Sequence, residues 1–178
     1  SLTYLLLRFI NNPMVNKRHK ITSLKHALTF MGEVEVKKFI SLLALANLSD
    51  GQPTELMQMA LVRAKFCELV YTQLKGSDDP LKGFLTCLLS LLDAMMEQRI
   101  DDLVSKVPIS DDVKDALCGS PGMLRNCLTL AQFFERATWS GIQQFSTKYD
   151  IKQSLLHSYY NEAIKWAKHI HKAAQKEN

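Results

Sequence analysis

Paired carboxylates and five histidines are the side chains in this sequence that could bind a metal ion. The carboxylate pairs occur where helices are expected to begin, at Asp78-Asp79, Asp101-Asp102 and Asp111-Asp112. Capping and the helix dipole account for such pairs more simply than a metal site does. The histidines lack the spacing of a zinc-binding helix, and none is followed by aspartate: His19, His26, His157, His169 and His171. We therefore expect no metal cofactor.

Motifs for phosphate binding and nucleophilic catalysis are also missing from the sequence. Neither G-x-G-x-x-G nor the P-loop pattern occurs, and no Ser or Cys lies in an elbow motif. The cysteines lie inside apolar helical patterns and never form C-x-x-C: Cys67, Cys87, Cys118 and Cys127. This pattern predicts buried thiols in a reducing compartment. The longest apolar run, Phe84 to Leu92, is too short for a membrane span, so we expect a cytoplasmic protein.

The basic residues form two candidate interaction surfaces. A net charge of +4 is too small to imply a polyanionic partner by itself. The candidates lie in a basic loop and in the last helix: Lys17, Arg18, Lys20, Lys165, Lys168 and Lys172. Acidic residues are mixed with the second group, and few aromatic residues are interleaved with it. A solvated or protein-facing surface is therefore favoured over a nucleic-acid site.

Helical periodicity runs through the whole chain, with no sustained strand alternation. A tight corner is expected between Ile21 and Leu48, where two amphipathic runs meet at Gly32. The next long helix, from Thr54 to Leu74, carries Arg63 close to its apolar stripe, where a guanidinium needs an acidic partner or solvent. A core helix, apolar nearly all round, is expected from Leu81 to Gln98. The sequence thus predicts an all-α protein forming one domain over residues 1–178.

Four segments occur in a characteristic order: LLRFINNP, ITSLKHALTFMG, LVRAKFCELV and GFLTCLLSLLDAM. Their order and spacing resemble the HDOD domain, a modified relative of the HD and HD-GYP phosphohydrolases. The runs FCEL, SLLDAM, FFERATW and YNEAIKWA are similar to the C-terminal half of bacterial EAL–HDOD signalling proteins. The resemblance implies an HD-domain-like multi-helix bundle. It also implies an N-terminally truncated fragment, preceded in the full protein by an EAL domain of the cyclic-di-GMP phosphodiesterase type.

The resemblance further implies a degenerate metal site. Catalytic HD proteins carry a His-Asp doublet in the core helix, and the aligned positions here are Ser90 and Leu91. The earlier family histidine falls near Arg63. A hydroxyl, an isobutyl group and a guanidinium cannot together hold a divalent cation. We therefore expect that the protein is not an enzyme.

Other residues match the family as parts of its scaffold: Asn11, Ser23, Gly32, Arg63, Glu68 and Glu135. We expect Arg63 to pair with either Glu68 or Glu135, at the place where the family binds its cation.

By resemblance, the expected function is a non-catalytic regulatory or protein-interaction module in bacterial cyclic-di-GMP signalling. Its expected partner is the neighbouring EAL domain, a second copy or a signalling regulator. Two alternatives stay open. In the first, the vacated pocket near Ser90 and Arg63 senses a nucleotide, with Arg63 accepting a phosphate. In the second, the domain keeps a residual metal-dependent phosphohydrolase activity.

Overall fold

A computed structural model describes residues 23–48 and 54–175 of the chain. Within these ranges the protein forms nine α-helices, one short 3-10 segment and no strand. The helices are α1 (Leu24–Leu48), α2 (Thr54–Gln73), α3 (Pro80–Leu88), α4 (Leu92–Met96), α5 (Ile100–Val104), α6 (Asp111–Leu117), α7 (Met123–Glu135), α8 (Trp139–Tyr149) and α9 (Gln153–Gln175). The 3-10 segment, Leu89–Leu91, joins α3 to α4. The all-α prediction is confirmed for this part of the chain.

The predicted corner lies inside α1. Gly32 has φ 72° and ψ 171°, so α1 consists of two helical runs that meet at a kink. Nothing lies within 4 Å of the place where a Cβ would stand, so Gly32 is required for its backbone conformation rather than for space. A hydroxyl at Thr22 or Ser23 is expected to cap this helix, and the structure shows the Ser23 hydroxyl accepting the backbone N–H of His26 at 3.2 Å.

Helix α2 is the central element, and it packs against α3, α7 and α9. Its closest approach to α3 is at Gly83, where an added Cβ would lie 2.7 Å from the Cβ of Tyr71 and 2.9 Å from the carbonyl oxygen of Cys67. Real side chains do not tolerate such distances, so the two helices can pack this closely only at a glycine. This tight packing holds the residues of α2 and α3 in a fixed register.

The predicted core helix from Leu81 to Gln98 is wrong, because the structure divides it at the 3-10 segment Leu89–Leu91. The hydroxyl of Ser90 donates to the carbonyl oxygen of Cys87 at 2.7 Å, three residues back. A side-chain donor of this kind competes with the regular helical hydrogen bonds. The break leaves Ser90 at a turn between two helices.

The last three helices complete the core over α2 and α3. Trp166 of α9 packs edge-on against Phe84 of α3, with ring centroids 6.1 Å apart. Asp150, which the pattern predicts as the cap of the last helix, instead ends α8 with φ 53°, and its backbone N–H bonds Ser146. None of the helices in residues 23–48 and 54–175 has both the length and the apolar character that a membrane span requires.

Candidate functional site

Arg63 and Glu135 form a buried ion pair between α2 and α7. The Nε of Arg63 lies 2.6 Å from Oε1 of Glu135, and its Nη2 lies 2.8 Å from Oε2. Both carboxylate oxygens are thus bound by one guanidinium in the parallel, bidentate geometry that such pairs favour. The side chains are only 8% and 16% exposed, so water competes little for either group. This ion pair includes Arg63, around which the sequence analysis predicts the site.

Ser90 links this pair to the break in the core helix. Nη1 of Arg63 donates to the hydroxyl oxygen of Ser90 at 3.0 Å, and the same hydroxyl donates to the carbonyl oxygen of Cys87. A continuous series of hydrogen bonds therefore runs from Glu135 through Arg63 and Ser90 to the last turn of α3. Leu91, which the resemblance aligns with the Asp of the family's doublet, packs against apolar residues of the core.

The residues at this position do not fit a divalent cation. The guanidinium of Arg63 is positively charged and offers no lone pair. Both oxygens of Glu135 already accept hydrogen bonds from it. Among the side chains that the structure describes, no three His, Cys, Asp or Glu residues come together to hold a metal ion. A phosphate group would likewise have to displace Glu135 before it could bind Arg63 through the same atoms.

Aromatic rings surround the ion pair on the side of α9. Tyr160 stacks on Phe134 at 4.8 Å and meets Phe66 edge-on at 5.2 Å. Burial raises the pKa of Tyr160, and the charge of Glu135 raises it further. The Tyr160 phenol therefore stays neutral at ordinary pH.

The same aromatic series continues to the protein surface. His157 lies edge-on to Phe134 at 5.0 Å, and Trp139 stacks on His157 at 5.8 Å. Trp139 is 60% exposed although it is held in place by that stack. A large aromatic side chain that is both exposed and fixed is typical of a protein-binding surface. The sequence analysis did not single out Trp139, and nothing in the local pattern distinguishes it from a buried aromatic residue.

Glu68, the other predicted partner of Arg63, binds a different cation. Its carboxylate lies 2.5 Å from Nζ of Lys38 and 3.6 Å from Nζ of Lys65. Lys38 also pairs with Glu35 at 2.7 Å. Burial alone would lower the pKa of Lys38, but the two carboxylates outweigh it and raise that pKa above its usual value. Glu68 therefore joins α1 to α2, and the alternative pairing of Arg63 with Glu68 is wrong.

The remaining predicted residues are distributed over the molecule. Ser23 and Gly32 shape α1, as described above. The last-helix candidates are exposed on α9, and their role in binding stays a prediction: Lys165, Lys168 and Lys172. Four others lie outside the described residues: Asn11, Lys17, Arg18 and Lys20.

The cysteines depart from the sequence-based expectation. The structure joins Cys67 of α2 to Cys87 of α3 by a disulfide bond, with Cα atoms 6.3 Å apart. Cys127 is a buried thiol as expected, whereas Cys118 is exposed. The expectation of four buried free thiols is therefore wrong for three of them. No sequence signal could have given the pairing, because two cysteines twenty positions apart on separate helices form no recognisable motif.

A second polar cluster, missed by the sequence analysis, lies near the surface between α2, α3 and α6. Lys82 lies 2.5 Å from Asp78 and 2.7 Å from Asp112, and the hydroxyl of Tyr71 donates to Asp78 at 2.8 Å. Hydrogen bonds from Lys82 and then Tyr71 lower the pKa of Asp78 to about 2. The cluster borders a cavity of about 280 Å³ that reaches the start of α7. Two of the paired carboxylates thus take part in ion pairs of the surface.

Comparisons with known proteins place the chain in a domain family and relate it to two longer proteins. The HDOD domain profile matches residues 1–107. Cyclic di-GMP phosphodiesterase CdgJ from Vibrio cholerae serotype O1 is 33% identical over 97% of this chain, which spans 40% of that protein. Uncharacterized protein YuxH from Bacillus subtilis is 27% identical over 96% of the chain, which spans 42% of it. The chain thus spans about two fifths of the length of either relative, and no solved structure matches it significantly.

The expectation that the protein is not an enzyme has to be corrected. It was drawn from Ser90 and Leu91, but a relative that matches nearly the whole chain is named a phosphodiesterase. The loss of a His-Asp doublet removes one kind of metal site, and it has no bearing on chemistry elsewhere in a longer polypeptide. The profile match covers more than half of the 178 residues, and the relative from Vibrio cholerae shares a third of its aligned positions with this chain. The chain belongs to the HDOD domain family.

Proposed function

We propose that this chain is the regulatory part of a cytoplasmic protein that hydrolyses cyclic di-GMP. In this proposal an EAL-type phosphodiesterase domain precedes the chain in the same polypeptide. The helices of the HDOD domain dock onto that domain and shift it between active and inactive conformations. Such a shift requires only that the HDOD surface bind one conformation more tightly than the other.

The relationship to named proteins supports the reaction. The phosphodiesterase from Vibrio cholerae aligns with nearly all of this chain, but the aligned part is 40% of that protein. More than half of the relative therefore lies outside the alignment and has room for a separate hydrolytic domain. This division supports a regulatory task for the part that aligns.

The ion pair of Arg63 and Glu135 is the observation that carries the proposal. Where catalytic HD proteins bind a cation, this chain has a guanidinium with a carboxylate on two of its nitrogens and a hydroxyl on a third. This arrangement connects α2, α3 and α7 by directed bonds. A cluster of that kind fixes the relative positions of helices, which is the property that a docking domain needs.

Two exposed apolar side chains are candidates for the docking surface. Trp139 is held by the stack on His157, and Ile40 of α1 is 59% exposed. Tryptophan is among the residues that account for most of the binding energy at protein interfaces, so Trp139 is the stronger of the two candidates. The exposed basic residues of α9 would contribute to the polar rim of such an interface.

The test is the rate of cyclic-di-GMP hydrolysis by the full-length polypeptide. We expect Trp139→Ala to change kcat/KM by about fivefold or more, which is the usual lower range of coupling between sites. Gln143→Ala is the matched control, because Gln143 is exposed one turn further along α8. The control is expected to leave the rate unchanged, and neither variant should alter the melting temperature by more than about 2 °C.

A second measurement addresses the alternative of a nucleotide sensor in the same domain. Thermal melting of the full-length protein with a panel of nucleotides is expected to show no stabilisation that Arg63→Lys removes. The proposal fails if hydrolysis is unaffected by Trp139→Ala, by Ile40→Glu and by deletion of the whole chain. It also fails if a nucleotide stabilises the protein through Arg63.

A further inference from the structure

Three cysteines from three helices meet in the core of this domain. Cys67 of α2 and Cys87 of α3 are joined, and the Sγ of Cys67 lies 3.5 Å from the carbonyl oxygen of Cys127 on α7. All three side chains are almost completely buried. Two of these helices, α2 and α7, also supply Arg63 and Glu135, and Ser90 lies in the 3-10 segment that follows the third, α3.

The Cys67–Cys87 disulfide is linked to the ion pair of Arg63 and Glu135 through few atoms. Arg63 lies one helical turn before Cys67 on α2, and Ser90 lies three residues after Cys87. The hydroxyl of Ser90 donates to the carbonyl oxygen of Cys87 while it accepts from Arg63. A change in the position of Cys87 would therefore be transmitted to Arg63 through one hydroxyl group.

Movement of Cys87 would cost the least free energy because this residue lies at the end of α3. Helix α3 ends at Leu88, one residue after Cys87, and the 3-10 segment follows at once. A stretch of 3-10 geometry inside a longer helical run often marks a hinge, because its hydrogen bonds are weaker. Local opening at this hinge would expose the sulfur of Cys87 to a small reagent without unfolding the domain.

We propose that Cys67 and Cys87 form a reversible redox pair, and that closing their bond fixes the end of α3 so that Ser90 meets Arg63. The oxidant is a low-molecular-weight disulfide such as oxidised glutathione. The two protein thiols lose two electrons and two protons as their S–S bond forms. The small disulfide takes up these electrons and protons, its own S–S bond breaks, and it leaves as two thiols. The proposal is independent of the reaction that the full-length protein catalyses.

Cys127 contacts the pair through its backbone carbonyl oxygen, and the environment of its free thiol disfavours disulfide exchange. Burial raises the pKa of the Cys127 thiol to about 12, so it carries almost no thiolate at neutral pH. Because the thiolate is the form that attacks a disulfide, exchange with Cys127 is disfavoured. The bond is therefore kept between α2 and α3.

The test uses the full chain equilibrated in glutathione buffers of increasing oxidised fraction. Peptide mapping by mass spectrometry without reductant measures the cross-linked fraction, and hydrogen exchange measures the opening of residues 87–93. We expect the cross-link to appear and disappear reversibly across the series. Reduction is expected to speed exchange in residues 87–93 at least fivefold and to lower the melting temperature by about 5–10 °C.

Variants of the other two cysteines provide the controls. Cys118→Ser and Cys127→Ser are expected to keep the redox response, whereas Cys67→Ser with Cys87→Ser abolishes it. If that double variant does not fold, the comparison of oxidised with reduced wild-type protein still decides the result. The proposal is overturned if no Cys67–Cys87 cross-link forms, if the cross-link persists in every reducing buffer, or if it forms without any change in exchange at residues 87–93.

Discussion

Two ion-pair clusters on α2 and α3 differ in burial although their distances are nearly the same. Arg63 and Glu135 lie 2.6 and 2.8 Å apart at their two contacts, and Lys82 lies 2.5 and 2.7 Å from its two carboxylates. The buried pair is 8% and 16% exposed, whereas the side chains of Lys82 and Asp78 are 22% and 61% exposed. The contact distances therefore do not show which cluster contributes more to stability.

Burial determines what the loss of one partner costs. At the surface, water and salt ions replace a missing partner, and measured exposed pairs contribute about 0–1 kcal/mol. In the interior nothing replaces it, and an uncompensated charge costs several kcal/mol. The comparison indicates that the buried pair fixes the packing of α7 against α2, while the Lys82 cluster is an ordinary surface network.

The largest expected effect is that of Glu135→Ala. This change leaves the guanidinium of Arg63 buried without a counter-charge, so we expect a loss of about 3–5 kcal/mol in the free energy of unfolding. Urea denaturation of wild-type and variant protein measures the difference, and an unchanged m-value shows that the same surface unfolds. A loss below about 1 kcal/mol would place this pair in the same class as the surface cluster.

Ser90→Ala is the next largest expected effect. It removes the acceptor of Arg63 and the donor to Cys87, and a buried group left without its hydrogen bond costs about 1–2 kcal/mol. Ser105→Ala is the matched control, because the exposed hydroxyl of Ser105 donates to the carbonyl oxygen of Asp102 in the same three-residue spacing. The control is expected to cost less than about 0.5 kcal/mol by urea denaturation. Equal losses in the two variants would show that Ser90 has no special role.

Tyr71→Phe tests the contribution of the Tyr71 hydroxyl to the surface cluster through the pH dependence of stability. Burial and the hydrogen bond to Asp78 raise the pKa of Tyr71 from 10.0 to about 12. The folded state holds this proton more tightly, so the stabilisation is complete below pH 10 and is lost as the pH rises from 10 to 12. Because Asp78 is exposed, solvent weakens its interaction with the hydroxyl, and we expect a contribution of about 1 kcal/mol. Urea denaturation between pH 9 and pH 12 should show a smaller fall for the variant, and equal falls would contradict this assignment.

Lys82→Ala is expected to have the smallest effect. The loss in unfolding free energy should stay below about 1 kcal/mol and should shrink in 1 M salt, which screens exposed charges. Thermal melting at low and high salt measures both quantities. A salt-independent loss of several kcal/mol would show that the surface cluster is as important as the buried one.

Local features of the fold could be predicted from the sequence. The corner at Gly32 depends on a glycine between two periodic runs, and the cap at Ser23 depends on a hydroxyl three residues before an N–H. Both features depend on residues that are close together in the sequence, so local patterns are enough to predict them. The break at Leu89–Leu91 could not be predicted, because no glycine or proline marks it.

The site could be predicted only in part. The sequence places Arg63 near the apolar face of α2 and requires an acidic partner for it. It does not choose between Glu68, five positions further along the same helix, and Glu135, 72 positions away. The choice depends on how α7 packs against α2, which is a property of the whole core. The bond between Cys67 and Cys87 depends on the same long-range packing.

A double-mutant cycle on Arg63 and Glu135 tests the central claim most directly. Unfolding free energies are measured for Arg63→Met, for Glu135→Leu and for both together. If the two side chains are a buried pair, each single change is costly, and the double variant recovers to within about 1 kcal/mol of wild type, with a coupling energy of about 2 kcal/mol or more. Losses that add to within about 0.5 kcal/mol would show that the residues act independently. That result would contradict the claim that this buried ion pair holds α2 and α7 together.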